Sequence, residues 1–190
     1  MKFVHIADIH FDTNFDNLKN KKYFKDRRKE EQIQAFKKVI QYVEENDVEF
    51  LFISGDLFEQ EHVKVETIEF IISEIKKIPN TKVFISPGNH DPLINNSPYV
   101  MFEWPENVYI FGSDVGKYDF EDISIYGIGF DRFEMESSTI SDIDVDKNKV
   151  NILITHCTLN GGSKKYHDIK EVELKKFDYC ALRSYSYAKG

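Results

Sequence analysis

The first half of the chain alternates short apolar runs with amphipathic stretches, and this alternation restricts the fold more than any other feature. Phe3, Val4 and Ile6 mark a buried strand over residues 2–7. Ile33, Phe36, Ile40 and Val43 then recur at threes and fours, which predicts a helix from an N-cap at Asp26 to about Glu45. A second apolar run, residues 49–53, leads to another amphipathic stretch, residues 63–78, closed by Pro79 and Asn80. A third run, residues 82–85, breaks into Ser86-Pro87-Gly88-Asn89-His90-Asp91-Pro92. Strand, helix, strand, helix, strand is the pattern of a parallel sheet covered by helices. Such sheets present polar groups where their strands end.

Periodicity changes after Pro92. Short strands are expected over residues 108–111, 123–126 and 128–130, separated by Gly112, Gly116 and Gly127, as in antiparallel or mixed sheet. Residues 134–149 read as an acidic loop with one short helix, and 150–154 as a core strand ending at Thr155-His156. A flexible loop at Asn160-Gly161-Gly162-Ser163 precedes a last strand over 177–182. With no internal repeat or low-complexity linker, the expectation is a single domain over residues 1–190.

Composition narrows the class. A 41% hydrophobic chain can bury one sizeable core. No apolar run approaches the roughly 20 residues of a membrane span, so no membrane partner is expected. The start lacks a small-residue cleavage site and does not read as a signal peptide. Cys157 and Cys180 form no metal-binding or redox pair spacing, and a reduced, cytoplasmic protein is the default. A formal charge of -8 argues against a passive nucleic-acid coat. It leaves room for an enzyme on nucleic acid whose acidic site gathers metal ions.

Four of the apolar runs end in groups that can bind metal: Asp8-Ile9-His10, Gly55-Asp56, Gly88-Asn89-His90-Asp91 and Thr155-His156. Singly, each reads more readily as a cap, a turn or a satisfied polar group than as a ligand. Asp8 and His10, two apart on one strand, would face the same side and grip one ion together. Asn89, His90 and Asp91 are either a capped turn or a metal ligand, a general acid and the carboxylate that orients it. The joint occurrence, in order and with helices between, favours a site.

On these stretches the chain resembles the calcineurin-like metallophosphoesterases, from Met1 to about Leu182. Within them it is similar to the SbcD-type DNA repair nucleases and their YhaO-like exonuclease branch. Supporting stretches are His5-Ile6-Ala7-Asp8-Ile9-His10, Ile53-Ser54-Gly55-Asp56-Leu57-Phe58, Gly88-Asn89-His90-Asp91-Pro92, Trp104-Pro105-Glu106-Asn107-Val108 and Phe177-Asp178-Tyr179. The resemblance implies an α/β sandwich of two mixed sheets flanked by helices, incomplete at its C-terminal end. It implies two divalent ions, manganese first, with iron or zinc as alternatives. Asp8 and His10 would hold one, Asn89 and His156 the other, and Asp56 would bridge them. His90 would protonate the leaving group, with Asp91 fixing its imidazole and raising its pKa. DNA is the implied substrate, and an SbcC-like ATPase the implied partner of full-length relatives. His5, His62 and His167 match no motif and are expected to be structural.

The family's closing Gly-His-x-His is absent. Arg183-Ser184-Tyr185-Ser186 follows Ala181-Leu182, with serine at both histidine positions. Codons GGT CAT ATT CAT for Gly-His-Ile-His, read with an A or C ahead, spell Arg-Ser-Tyr-Ser, so a shifted frame and a true loss of the motif both account for this tail. The implied reading is a phosphodiester hydrolase. A catalytically impaired fold serving as a binding module, and a hydrolase of other phosphate esters, are its alternatives.

Overall fold

The chain was analysed as a computed structural model, which describes residues 1–14, 22–137, 140–161 and 165–185, the side chains of 22–25, 136, 137, 184 and 185 excepted. Strands β1 (Phe3–Ile6), β2 (Phe50–Ser54), β3 (Lys82–Ser86) and β4 (Val108–Ile110) form one sheet in that order, parallel throughout. Helices α1 (Lys22–Glu45) and α2 (Val65–Ile75) supply the first two crossovers, and a short α3 (Pro98–Met101) lies in the third. β5 (Gly116–Asp119), β6 (Ile123–Ile128), β7 (Met135–Ser137), β8 (Val150–Leu159), β9 (Tyr166–Ile169) and β10 (Tyr179–Tyr185) build a second sheet. There β8 lies between β6 and β10, and the β5–β6 pair is antiparallel. A 3-10 turn at Ile140–Asp142 and α4 (Glu171–Leu174) complete the described elements. Two sheets flanked by helices is the expected architecture, with the mixing confined to the second sheet.

Alternation along β2 explains why the sheets stack. Leu51 and Ile53 face the helices, packing with Phe36, Ile40 and Val43 of α1 and with Ile68, Ile71 and Ile75 of α2. Phe50 and Phe52 face the other way, with Phe84, against Ile123, Ile125, Ile152, Ile154 and Ala181 of the second sheet. A strand buried on both faces reads as a continuous apolar run, as Phe50-Leu51-Phe52-Ile53 does. Phe84 anchors the inner layer: its ring lies 4.8 Å from Tyr109, 5.3 Å from Tyr118 and 5.9 Å from Phe111.

Several boundaries depart from the sequence expectation. Helix α1 begins at Lys22, so Asp26 lies inside it and is not its N-cap. Gly127 does not break β6, which runs through it. A Cβ there would stand 2.2 Å from the Phe111 ring, so the glycine makes room for that side chain inside the strand. β8 continues to Leu159, placing His156 within the strand. Gly162 and Ser163 of the expected loop lie outside the described residues.

Candidate active site

Because β1, β2 and β3 run parallel, their carboxyl ends reach one edge, where open α/β sheets bind ligands. Asp8 and His10 lie past the end of β1, and the two-residue face of a strand is not what unites them. Asp8 (φ 54°), His10 (φ 51°) and Asp56 (φ 55°) all adopt left-handed backbone, which costs a non-glycine residue about 1–2 kcal/mol. Hydrogen bonds between the loops hold them there: Asp8 N–H to Gly55 O at 3.1 Å, His10 N–H to Asp56 O at 2.8 Å, and Phe11 N–H to Leu57 O at 2.9 Å. Strain kept at several polar residues in one place is a mark of a functional site.

Asp56 is the hub. It is fully buried. One carboxylate oxygen, Oδ1, accepts from His90 N–H at 3.0 Å. The other, Oδ2, lies 3.6 Å from His10 Nε2 and 3.4 Å from His156 Nε2. Oδ2 and Asp8 Oδ1 are both buried and, among the described residues, have no hydrogen-bond partner. Asp8, Asp56 and His156 bring ligand atoms within 4.8 Å of one another. β8 carries His156 so close to Gly55 (φ 79°) that a Cβ there would stand 2.4 Å from the imidazole.

Both imidazoles engage an acceptor through Nδ1 and direct Nε2 toward Asp56. Nδ1–H of His156 points at Ser54 O, 3.4 Å away, and Nδ1–H of His10 donates to Glu59 Oε1 at 2.7 Å. Deprotonated at Nε2, each would offer that lone pair to a metal beside Asp56. Two buried carboxylate oxygens without a hydrogen-bond partner among the described residues, gathered with imidazole nitrogens, are a donor set that fits a divalent cation.

Glu59 was not anticipated from the sequence. Its second oxygen accepts from His90 Nδ1–H at 2.9 Å, so one carboxylate ties His10 to His90, whose rings meet edge to face 4.9 Å apart. Burial alone would raise the Glu59 pKa, but the hydrogen bonds and charges of His10 and His90 outweigh it and bring it down to about 2. His90 rises to about 9, first through its bond to Glu59 and against its partial burial. For His10, burial opposes the charge, yet Glu59 and Asp56 leave its pKa raised.

Among the described residues Asp91 makes no hydrogen bond to the His90 imidazole, though its charge adds to the rise of the His90 pKa. Its carboxylate is fully buried and accepts from Gly88 N–H (2.6 Å), Asp56 N–H (3.0 Å), Leu57 N–H (2.8 Å) and Tyr99 Oη–H (2.7 Å). Burial and the nearby Asp56 push its pKa up, to about 6. It clamps the β2 and β3 loops together, and the imidazole partner expected of it is Glu59. That substitution could have been foreseen only from the three-residue spacing of Glu59 from Asp56, which carries little information alone.

Asn89 and His90 line a cavity of about 360 Å³ with Glu59, Glu61, Glu134 and Tyr166. Asp8 and His10 floor a second, open groove of about 950 Å³ against α1, walled by Ile6, Phe36 and Val39. At the far rim, β10 sets Arg183 opposite His156, and its guanidinium pairs with Asp8 Oδ2. Ser184 follows in β10, while its side chain and all of Ser186 lie outside the described residues. His167 is buried, Nδ1 within 3.2 Å of both Thr155 Oγ1 and His156 O, as suits a structural group.

The family model described as calcineurin-like phosphoesterase matches residues 1–182. Among curated proteins the chain is 29% identical to "Uncharacterized metallophosphoesterase YhaO" of Bacillus subtilis, over 96% of this chain and 48% of that protein. It is 28% identical to "DNA double-strand break repair protein Mre11" of Methanocaldococcus jannaschii, over 96% of this chain and 50% of that protein. It is 26% identical to a subunit of the nuclease SbcCD from Staphylococcus epidermidis, over 96% of this chain and 56% of that protein. The chain thus spans about half the length of the curated relatives it matches. Among the described residues, no helix is long and apolar enough to cross a membrane.

Proposed function

The chain belongs to the calcineurin-like phosphoesterase family, and we propose that it is a metal-dependent phosphodiester hydrolase acting on DNA. The observation that carries this reading is that His10 and His156, with Asp8 beside them, converge on Asp56 Oδ2, a buried oxygen without a hydrogen-bond partner among the described residues. Those four residues, with Asn89, would hold divalent metal, and manganese suits such mixed carboxylate, imidazole and amide donors. When bound, the metal supplies Lewis-acid polarisation of the phosphate and activation of water.

The chain's own residues account for the rest. Asp56 N–H, Leu57 N–H and Gly88 N–H, all fixed on Asp91, keep the loops in register. Glu59 holds His90 protonated, with its Nε2–H available at the cavity mouth to donate to a leaving alcohol. Relatives whose names denote a DNA repair protein and a nuclease subunit support DNA as the substrate. The nuclease relative's being one subunit of a complex also supports a larger assembly with an SbcC-like ATPase. One domain over 1–190, in the cytoplasm, completes this reading.

A second reading has its own observation. Serine replaces histidine at 184 and 186, and Arg183 sits on Asp8, which favours an impaired fold retained for binding. Manganese-dependent hydrolysis of a chromogenic phosphodiester, beside degradation of a labelled DNA duplex, separates these readings. Turnover of both supports the nuclease. Turnover of the chromogenic ester alone points to another phosphate ester, and no turnover by folded protein supports the binding module.

A further inference from the structure

We propose that Arg183 is a built-in counter-cation of this centre, holding Asp8 in the metal-free protein and competing with a divalent ion for it. The inference rests on the reading of Asp8, His10, Asp56 and His156 as metal ligands. It adds a determinant of how tightly they hold metal.

Three observations support it. The guanidinium pairs with Asp8 Oδ2 through Nε, on an arm 45% exposed, while Asp8 is only 16% exposed. The β10–β8 register sets Arg183 directly opposite His156, so the strand delivers its charge to the rim of the same cluster. Within that cluster two carboxylates crowd together, and Asp8 Oδ1 and Asp56 Oδ2 are buried without a hydrogen-bond partner among the described residues.

Two crowded carboxylates demand positive charge, because an unpaired buried ion is costly. Arg183 meets part of that demand at one oxygen of Asp8 and leaves the inner oxygens open. A divalent ion seated on those oxygens would lie close to the guanidinium and be repelled by it. The arm is half-exposed and solvent screens its charge, so the ion is weakened in its hold and not excluded. Arg183 therefore stabilises the empty centre and lowers the affinity of the filled one.

The test is calorimetric titration of the full chain with manganese chloride, paired with thermal melts with and without the ion, for the native protein, Arg183→Gln and Arg183→Lys. Arg183→Gln should bind manganese about threefold to fivefold more tightly than the native protein, the upper part of the range expected when one half-exposed charge is removed. Arg183→Lys, which keeps the charge, should stay within about twofold. Without metal, Arg183→Gln should melt below the native protein, yet gain more from manganese. A merely structural arginine would not give these opposite signs. Manganese affinity in Arg183→Gln equal to or weaker than native overturns the competition and leaves the metal centre standing. Absence of binding in all three proteins overturns the centre as well. Should Arg183→Gln fail to fold, Arg183→Met, which keeps the apolar stem, provides the same comparison.

Discussion

Glu59 joins two imidazoles that the sequence places eighty positions apart, and its two oxygens decide the charge of both. The raised His90 pKa has a definite consequence for stability. The stabilisation it brings is fully present below the ordinary imidazole value of 6.5 and is lost as pH rises through about 9. For Glu59 the sign reverses: its stabilisation is present above 4.5 and lost as pH falls through about 2. As a general acid, His90 should keep turnover high until pH approaches about 9. In Glu59→Gln that alkaline limb should move down toward 6.5, the ordinary value; a limb that stays in place would remove Glu59 as the partner. Asp91→Ala tests the clamp. It strands three backbone N–H groups and the Tyr99 hydroxyl, so a loss of about 3 kcal/mol or more in urea unfolding is expected. At this scale the candidate ligand residue types were legible as Asp-x-His, Gly-Asp, Asn-His and Thr-His. The hydrogen-bond partners were not, because Asp91 adjoins His90 in sequence yet points into the interior.

The three parallel strands were the most legible elements, since Phe50-Leu51-Phe52-Ile53 and Val83-Phe84-Ile85 can only be buried on both faces. Less legible were elements whose cause is a distant contact. β6 runs through Gly127 because the Phe111 ring fills the space above it, and no local pattern records that. β5 offers Gly116-Lys117-Tyr118-Asp119, with an apolar side chain only at Tyr118, and its place depends on pairing with β6. The inner layer gives this scale its prediction. Phe84 is fully buried among the rings of both sheets, so Phe84→Ala should cost about 3–5 kcal/mol of unfolding free energy. Chemical denaturation measures it, and a loss below about 1 kcal/mol would mean the layer repacks around the gap.

Across the whole molecule, the two sheets do different work. The parallel sheet brings Asp8, Asp56 and His90 to one edge, and the mixed sheet lays His156 against them through β8. Neither half makes the cluster alone, which is why apolar runs ending in ligand-type residues were more informative jointly than singly. Asp8, Asp56, Glu59 and Asp91 lie at this edge of a chain of net charge -8, so a polyanionic substrate would depend on metal to approach it. The central claim is that the convergent carboxylates and imidazoles form a metal-dependent hydrolytic centre. The most direct measurement is the rate of chromogenic phosphodiester hydrolysis as manganese is raised, for the native protein and for Asp56→Asn. The account predicts saturable, manganese-dependent turnover in the native protein, abolished by chelator and reduced at least about a hundredfold in Asp56→Asn. Turnover unaffected by chelator, or an Asp56→Asn variant as active as the native protein, would contradict it.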